Sequence, residues 1–201
     1  MIETLFDLLQ KPTLWQRGTE PFWMDWKGEH AMSDFIKLAR ERYSVRSFSQ
    51  RTIEPEIMNQ VLEAGRVAPT ACNNQPQRIK VITARDELAK VDKCTPCRFG
   101  APAVLLICYD EKLAWERQFD GASSGEVDAS IVTAHMMLAA HDLGLGTCWV
   151  MYFDPAKATK LFSLPNGIVP VAMLPIGYAD EGAAPSDQHK DRLPIEEMLL
   201  N

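Results

Sequence analysis

The stretch Val127-Asp128-Ala129-Ser130-Ile131-Val132-Thr133-Ala134-His135-Met136-Met137-Leu138-Ala139-Ala140-His141-Asp142-Leu143, followed by Gly144-Leu145-Gly146, sets the frame for the chain. Ile131, Val132, Ala134, Met136, Met137, Leu138, Ala139 and Ala140 make it apolar nearly all round, which predicts a buried central helix rather than an amphipathic surface one. Gly144 and Gly146 end it, since glycine accepts the left-handed backbone of a helix terminus without a steric cost. Such a helix needs cover, and the flanking segments are suited to provide it. On the N-terminal side, Ala103 to Tyr109 is a continuous apolar run of strand length, and Ile79 to Thr83 alternates with β-branched residues. On the C-terminal side, Thr147 to Tyr152 and Val171 to Tyr178 read as two further strands, separated by a short helix that Asp154 caps and Pro155 begins.

Further upstream, Pro55, flanked by Glu54 and Glu56, starts a helix that carries Ile57, Val61 and Ala64 on one side and is ended by Pro69. Ser33 and Asp34 cap another that runs to Arg42. The order of elements is α+β, with no βαβ repetition, internal repeat or low-complexity tract. Residues 1–31 differ: Trp15, Phe22, Trp23 and Trp26 crowd between Pro12, Pro21 and Gly28, with no sustained helical period after Leu9. They read as an N-terminal extension of unknown role whose aromatics need an apolar surface, with the compact domain spanning 32–201.

Composition narrows the function. A chain of 201 residues suits one domain, or one domain with a tail, and leaves no room for a second full catalytic domain. A net charge of −6 argues against nucleic acid as a partner, because that affinity rests on clustered cations. The longest apolar runs, such as Ala101 to Tyr109, fall short of the roughly 20 residues of a spanning helix, and no secretory h-region precedes a cleavage site, so no membrane is expected. Five cysteines, an odd number in an ordinary composition, argue against a disulfide framework and for a reducing, cytoplasmic setting.

Three clusters carry chemistry. Arg42-Tyr43-Ser44-Val45-Arg46 places two guanidinium groups and a hydroxyl at a helix end, either as a cradle for a phosphomonoester or as a solvated terminus whose cations favour the helix dipole. Pro69-Thr70-Ala71-Cys72-Asn73-Asn74-Gln75-Pro76-Gln77 is a proline-bracketed loop dense in amides, suited to an uncharged ring edge with carbonyl and N–H groups, or simply a shaped turn. Lys190 and Arg192 close the chain as a second cationic pair or a charged tail.

Taken together and in order, these segments resemble the nitroreductase family over about Met32 to Leu199. Arg42, Ser44 and Arg46 match its opening Arg-x-Ser-x-Arg. Pro69, Asn73, Gln75 and Pro76 match its amide loop, and Ala101-Pro102 its dipeptide before an apolar strand. Gly144-Leu145-Gly146 with Trp149 match its Gly-Leu-Gly-x-x-Trp, and Lys190 with Arg192 its closing cations; Gly177 also fits. The resemblance implies a mostly antiparallel sheet flanked by helices in a three-layer sandwich, and an intertwined homodimer with FMN at the subunit interface. It implies that Arg42, Tyr43, Ser44 and Arg46 hold the phosphate and ribityl end, reinforced by Lys190 and Arg192. Pro69, Thr70, Ala71, Asn73 and Gln75 would come from the other subunit to the flavin ring. Trp149, Val150, Met151 and Tyr152 would lie along it, offering a backbone N–H to N5. Two departures stand out: Met151 and Tyr152 occupy positions where many relatives have a glycine pair, and Gln77 one where many have an aromatic. The larger side chains at 151 and 152 are expected to narrow the substrate cavity.

The implied activity is an FMN-dependent oxidoreductase that passes hydride from NADH or NADPH to a small electron-poor acceptor, such as a nitroaromatic or quinone, by a ping-pong cycle with no catalytic side chain. A flavin-binding or sensory protein without turnover, or a relative with divergent flavin chemistry, is the alternative. The polar stretch Asp110 to Gly125 leaves room for only a short lid. Cys94-Thr95-Pro96-Cys97 lacks the second pair of a structural zinc site, so its thiols read as incidental and no metal is expected. Cys72 and Cys148 read as packing thiols, and His135 and His141 as hydrogen-bonded packing residues.

Overall fold

The computed structural model describes residues 33–200, and Lys37–Asn201 forms one compact unit. The extension expected over 1–31, with its tryptophans, lies outside the described residues. In chain order the elements are α1 (Asp34–Glu41), α2 (Pro55–Arg66), β1 (Gln77–Ile82), α3 (Arg85–Cys94), β2 (Ala103–Asp110), α4 (Gly125–Asp142), β3 (Gly146–Thr147), α5 (Pro155–Leu161) and β4 (Ile168–Gly177). The caps follow from the residues: Ser33 Oγ accepts the Ile36 N–H at 3.3 Å, and Asp154 accepts the Lys157 N–H at 2.9 Å with Pro155 in the first turn.

The four strands form one antiparallel sheet in the order β1-β2-β4-β3. Ile107 pairs with Ile79 on one side and with Ala172 on the other. The continuous apolar run of β2 has a direct cause: both of its faces are covered. Ala103, Leu105 and Ile107 point into a core shared with Met58 and Val61 of α2 and Ala129, Val132 and Met136 of α4. Val104, Leu106 and Cys108 point the other way, onto Val91 of α3 and Ala158 of α5. The result is the expected α+β three-layer arrangement, helix on sheet on helix.

Helix α3 (Arg85–Cys94) is an addition to the expected elements, and three others differ from expectation in extent or burial. The strand expected over Thr147 to Tyr152 is reduced to Gly146–Thr147, with an isolated bridge from Val150 to Met173. Val150 and Met173 exchange both ladder bonds at 2.9 Å, but at the next pair Cys148 donates to the Pro175 carbonyl at 3.2 Å and receives nothing, because proline has no N–H. Strand β4 begins at Ile168, earlier than Val171, by way of a register shift between Ile107 and Cys108 that carries the chain past Pro170. Helix α4 is buried on one face only. Ala129, Val132, Thr133, Met136 and Ala140 are fully covered, whereas Val127 is 60% exposed and Ile131, Ala134 and Leu138 are half-buried. One chain supplies only one layer to pack against this helix.

The turn after α4 ends as the glycines predict. Leu145 N–H bonds the Ala140 carbonyl at 2.8 Å and Gly144 N–H the His141 carbonyl at 3.0 Å, with Gly144 at φ +78°, which is the Schellman termination.

Candidate functional site

Helix α1 delivers the chain to Arg42, whose N–H closes the last turn on the Leu38 carbonyl at 3.0 Å. The chain then runs beside β3: Ser44 bridges Thr147 and Val45 N–H bonds the Thr147 carbonyl at 2.9 Å. Val45 and Phe48 are buried with Ala101, so the alternation of an extended backbone turns Ser44 and Arg46 outward. The close approach depends on Gly146, where a Cβ would lie 2.5 Å from Val45 Cγ2.

The tail is brought onto the same segment. Past β4, Ser49 N–H bonds the Tyr178 carbonyl at 3.0 Å and Asp180 N–H the Ser47 carbonyl at 3.1 Å. Tyr43 Oη donates to the Ala183 carbonyl at 3.4 Å, and its ring meets His189 edge-on at 6.2 Å. Between front and tail lies a cavity of about 170 Å³, walled by Arg42, Tyr43, Ser44 and Arg46 from one side and Ser186, Gln188, His189 and Arg192 from the other. Burial, and then the charge of Arg192, hold the Arg42 guanidinium below its ordinary pKa. Among the described residues none of Arg42, Arg46 and Arg192 has a carboxylate partner within salt-bridge distance. Cations that crowd without counter-charge suit a dianionic phosphate, which would relieve the repulsion and accept the guanidinium forks.

Lys190, expected with Arg192, ends the 3-10 turn Asp187–Lys190 but is not a wall residue. Ser186, Gln188 and His189 take its place, and sequence reasoning missed them; the His189 placement against Tyr43 arises from the three-residue period of the turn.

The amide loop stands elsewhere. No residue of 69–75 lines the cavity; Gln75 instead joins Leu62, Gly65, Arg66, Gln77, Arg78 and Ile79 around a shallower depression. The loop is exposed from Cys72 to Gln75 and then anchored by buried Pro76. Cys72, Asn73 and Gln75 all have φ near +50°, a conformation that asparagine tolerates but that is costly for Cys72 and Gln75. Gln75 N–H on Thr70 Oγ1 at 3.1 Å and Ala71 N–H on Asp128 Oδ1 at 2.9 Å hold it.

The stretch Trp149 to Tyr152 leaves the sheet edge with Val150 buried and Met151 and Tyr152 projecting, 69% and 76% exposed. Among the described residues no acceptor is found for the Met151 and Tyr152 N–H groups. The segment Cys94 to Cys97 explains why this stretch is held: buried Thr95 donates its hydroxyl to the Tyr152 carbonyl at 2.6 Å and accepts the Cys97 N–H at 3.1 Å. Asp154 N–H bonds the Cys94 carbonyl at 3.0 Å. Cys94 through Cys97 thus acts as a bracket. Burial pushes the Cys94 and Cys148 thiols up and Cys108 to about 12, as befits packing thiols. Among the described residues no group of three or more His, Cys, Asp or Glu is placed to hold a metal ion. His135 is exposed rather than packed, with Nδ1 on the Ile131 carbonyl at 2.8 Å.

A sequence profile of the nitroreductase family matches residues 39–122 and 95–178. The FMN reductase [NAD(P)H] of Bacillus subtilis (strain 168) is 31% identical over 185 residues, covering 82% of this chain and 72% of its own length. The NADH dehydrogenase of Thermus thermophilus is 27% identical over 197 residues, covering 81% of this chain and 93% of its own. Among solved structures, a nitroreductase family protein from Clostridium difficile 630 superimposes with a TM-score of 0.79 at 39% identity, covering 84% of this chain and 98% of that one.

Proposed function

The chain belongs to the nitroreductase family, and on that premise we propose that it is an FMN-dependent oxidoreductase that moves hydride from NADH or NADPH to a small electron-poor acceptor, such as a nitroaromatic or quinone. The single observation that carries this reading is the convergence of Arg42, Ser44 and Arg46 with Arg192 on one cavity whose cations have no carboxylate partner among the described residues. Arg42, Ser44 and Arg46 hold the phosphate, Tyr43 lines the ribityl side and Arg192 closes from the tail. Lys190, off the wall, adds only solvent-screened charge. Bound FMN would supply the two-electron redox chemistry, so no side chain need be a nucleophile.

Main-chain N–H groups at Met151 and Tyr152 supply fixed dipoles along the ring, and the two projecting side chains narrow the space left for the acceptor. Because Pro69, Thr70, Ala71, Asn73 and Gln75 lie away from the cavity of their own chain, they serve the partner's site in a homodimer. The half-exposed apolar face of α4 and the exposed Leu193, Ile195 and Met198 of the tail support that assembly. Donor and acceptor use the same space in turn, a ping-pong order. Residues 32–201 form the FMN-binding domain, with 1–31 a separate extension. Five free cysteines support a reducing, cytoplasmic setting, and among the described residues no helix is long and apolar enough to cross a membrane.

Purification with excess FMN tests the reading. The parent is expected as a yellow dimer that NADH or NADPH bleaches without oxygen, and the Arg42→Ala, Arg46→Ala double variant as a colourless one. A colourless parent, or a double variant that keeps FMN undiminished, refutes it; a yellow protein that neither nucleotide reduces supports flavin binding without turnover.

A further inference from the structure

Asp128 is the one charged side chain among the described residues that the fold buries, at 2% exposure. A carboxylate away from water must be compensated, and this one is, on both oxygens. Oδ1 accepts the Ala71 N–H at 2.9 Å and Oδ2 the Ser124 hydroxyl at 2.7 Å. Its place in the first turn of α4 adds the favourable end of the helix dipole. The two bonds reach different segments. Ala71 begins the loop in which Cys72, Asn73 and Gln75 adopt left-handed backbone without being glycine, a state that persists only where the surroundings impose it. Ser124 ends a small hairpin: its hydroxyl also accepts the Trp115 N–H at 3.1 Å, its own N–H bonds the Trp115 carbonyl at 2.8 Å, and Glu116 bridges Ser123. Phe119 near the tip is 98% exposed.

We propose that Asp128 is a positioning residue for the flavin ring: its carboxylate clamps the strained amide loop and the aromatic hairpin together into one preformed surface. The proposal rests on the reading that residues 69–75 meet the FMN ring. Asp128 touches neither ring nor acceptor; it acts through Ala71 and Ser124, so that Asn73 and Gln75 present their amides in one geometry before any ligand arrives. Without the clamp the loop relaxes toward ordinary backbone, and ligand binding must order it again.

The test compares FMN with riboflavin, which has the ring but no phosphate, as ligands of the full-length protein. Asp128→Ala is expected to weaken both by the same factor, roughly 10- to 100-fold, from loss of hydrogen bonds to a charged group. It should also shift the visible absorption and circular dichroism of the flavin bound at saturation. Asp128→Asn keeps an acceptor for Ala71 and recovers most of the affinity. Arg42→Ala, at the phosphate end, lowers affinity for FMN and leaves riboflavin unchanged, a pattern that general loss of stability would not produce. Should Asp128→Ala fold poorly, Ser124→Ala carries the test, with both flavins weakened together by roughly 3- to 10-fold. Parental affinity and spectra in these variants, or a loss confined to FMN, overturns the proposal. A parent that takes up neither flavin overturns the functional reading and this inference with it, whereas a parent that binds both beside variants that behave identically overturns this inference alone.

Discussion

Gly146→Ala sets one methyl group against the side chain that seats the cationic segment. The added Cβ would stand 2.5 Å from Val45 Cγ2, 2.9 Å from its Cβ and 3.1 Å from its Cγ1, against about 3.5–4.0 Å for comfortable carbon contact. Val45 has little room to yield. It is 2% exposed among Phe48 and Ala101, and a β-branched side chain has few alternative rotamers. The backbone must therefore give, and the parts that give are the Ser44–Thr147 bridge and the Val45 N–H bond to Thr147. Overpacking of this kind costs about 1–3 kcal/mol, which for a chain of this length lowers Tm by roughly 2–12 °C. Since Ser44 and Arg46 flank Val45, the same displacement should weaken FMN binding about tenfold or more, as loss of one charge-assisted bond would. Val45→Ala removes both γ-methyls and leaves only the contact to Cβ, so the double variant should be less damaged than the two single losses added together, with a coupling of about 1 kcal/mol or more. Thermal unfolding of flavin-free protein at fixed concentration, followed by FMN titration of all four proteins, reads both effects. An alanine variant that melts with the parent, or a cycle that is strictly additive, refutes the argument that Gly146 is there to admit Val45.

Glu54 accepts the Tyr178 hydroxyl and pairs with Arg51 at 2.6 Å, and these hold its carboxyl at about 2, below the ordinary 4.5. A depressed folded pKa stabilises above the unfolded value, so any advantage in Tm of the parent over Glu54→Gln should be present near neutrality and disappear as pH falls from 4.5 through about 2; a gap that widens on acidification contradicts the assignment. Asp154→Ala should destabilise by about 1 kcal/mol, or roughly 2–4 °C, with Asp154→Asn close to silent in the same thermal melts, because asparagine caps as well as aspartate. Leu138→Glu, on the half-buried outer face of α4, is expected to convert the proposed dimer to monomer by light scattering and to lose FMN together with it; an unchanged dimer would remove that face from the interface.

Much of the architecture was legible because burial imposes local pattern. The unbroken apolar run of β2 is what a strand covered on both faces requires, and Asp154-Pro155 and Gly144 act through backbone chemistry that needs no tertiary partner. The cationic wall of the cavity was legible in Arg42, Ser44 and Arg46. The other wall was legible only at Arg192: Ser186, Gln188 and His189 carry no motif of their own and reach the cavity because the tail is tied to residues 47–49. Lys190 shows the converse, a charge of the right type in the right turn that is not part of the wall. Asp128 had a signal, a carboxylate in an otherwise apolar helix, yet its partners at Ala71 and Ser124 are backbone and hydroxyl groups that periodicity does not reveal.

Residue identity alone therefore settled the order and kind of the elements except α3, together with the termination of α4 and the chemistry on offer, since propensity, capping and hydrophobic period act over a few neighbours. Tertiary structure decided which cations share a cavity, where Pro175 interrupts the ladder after Thr147, and that the amide loop stands apart from the cavity of its own chain. Those outcomes turn on contacts between segments tens of residues apart, whose distances follow from packing and register, quantities that no local stretch of sequence contains.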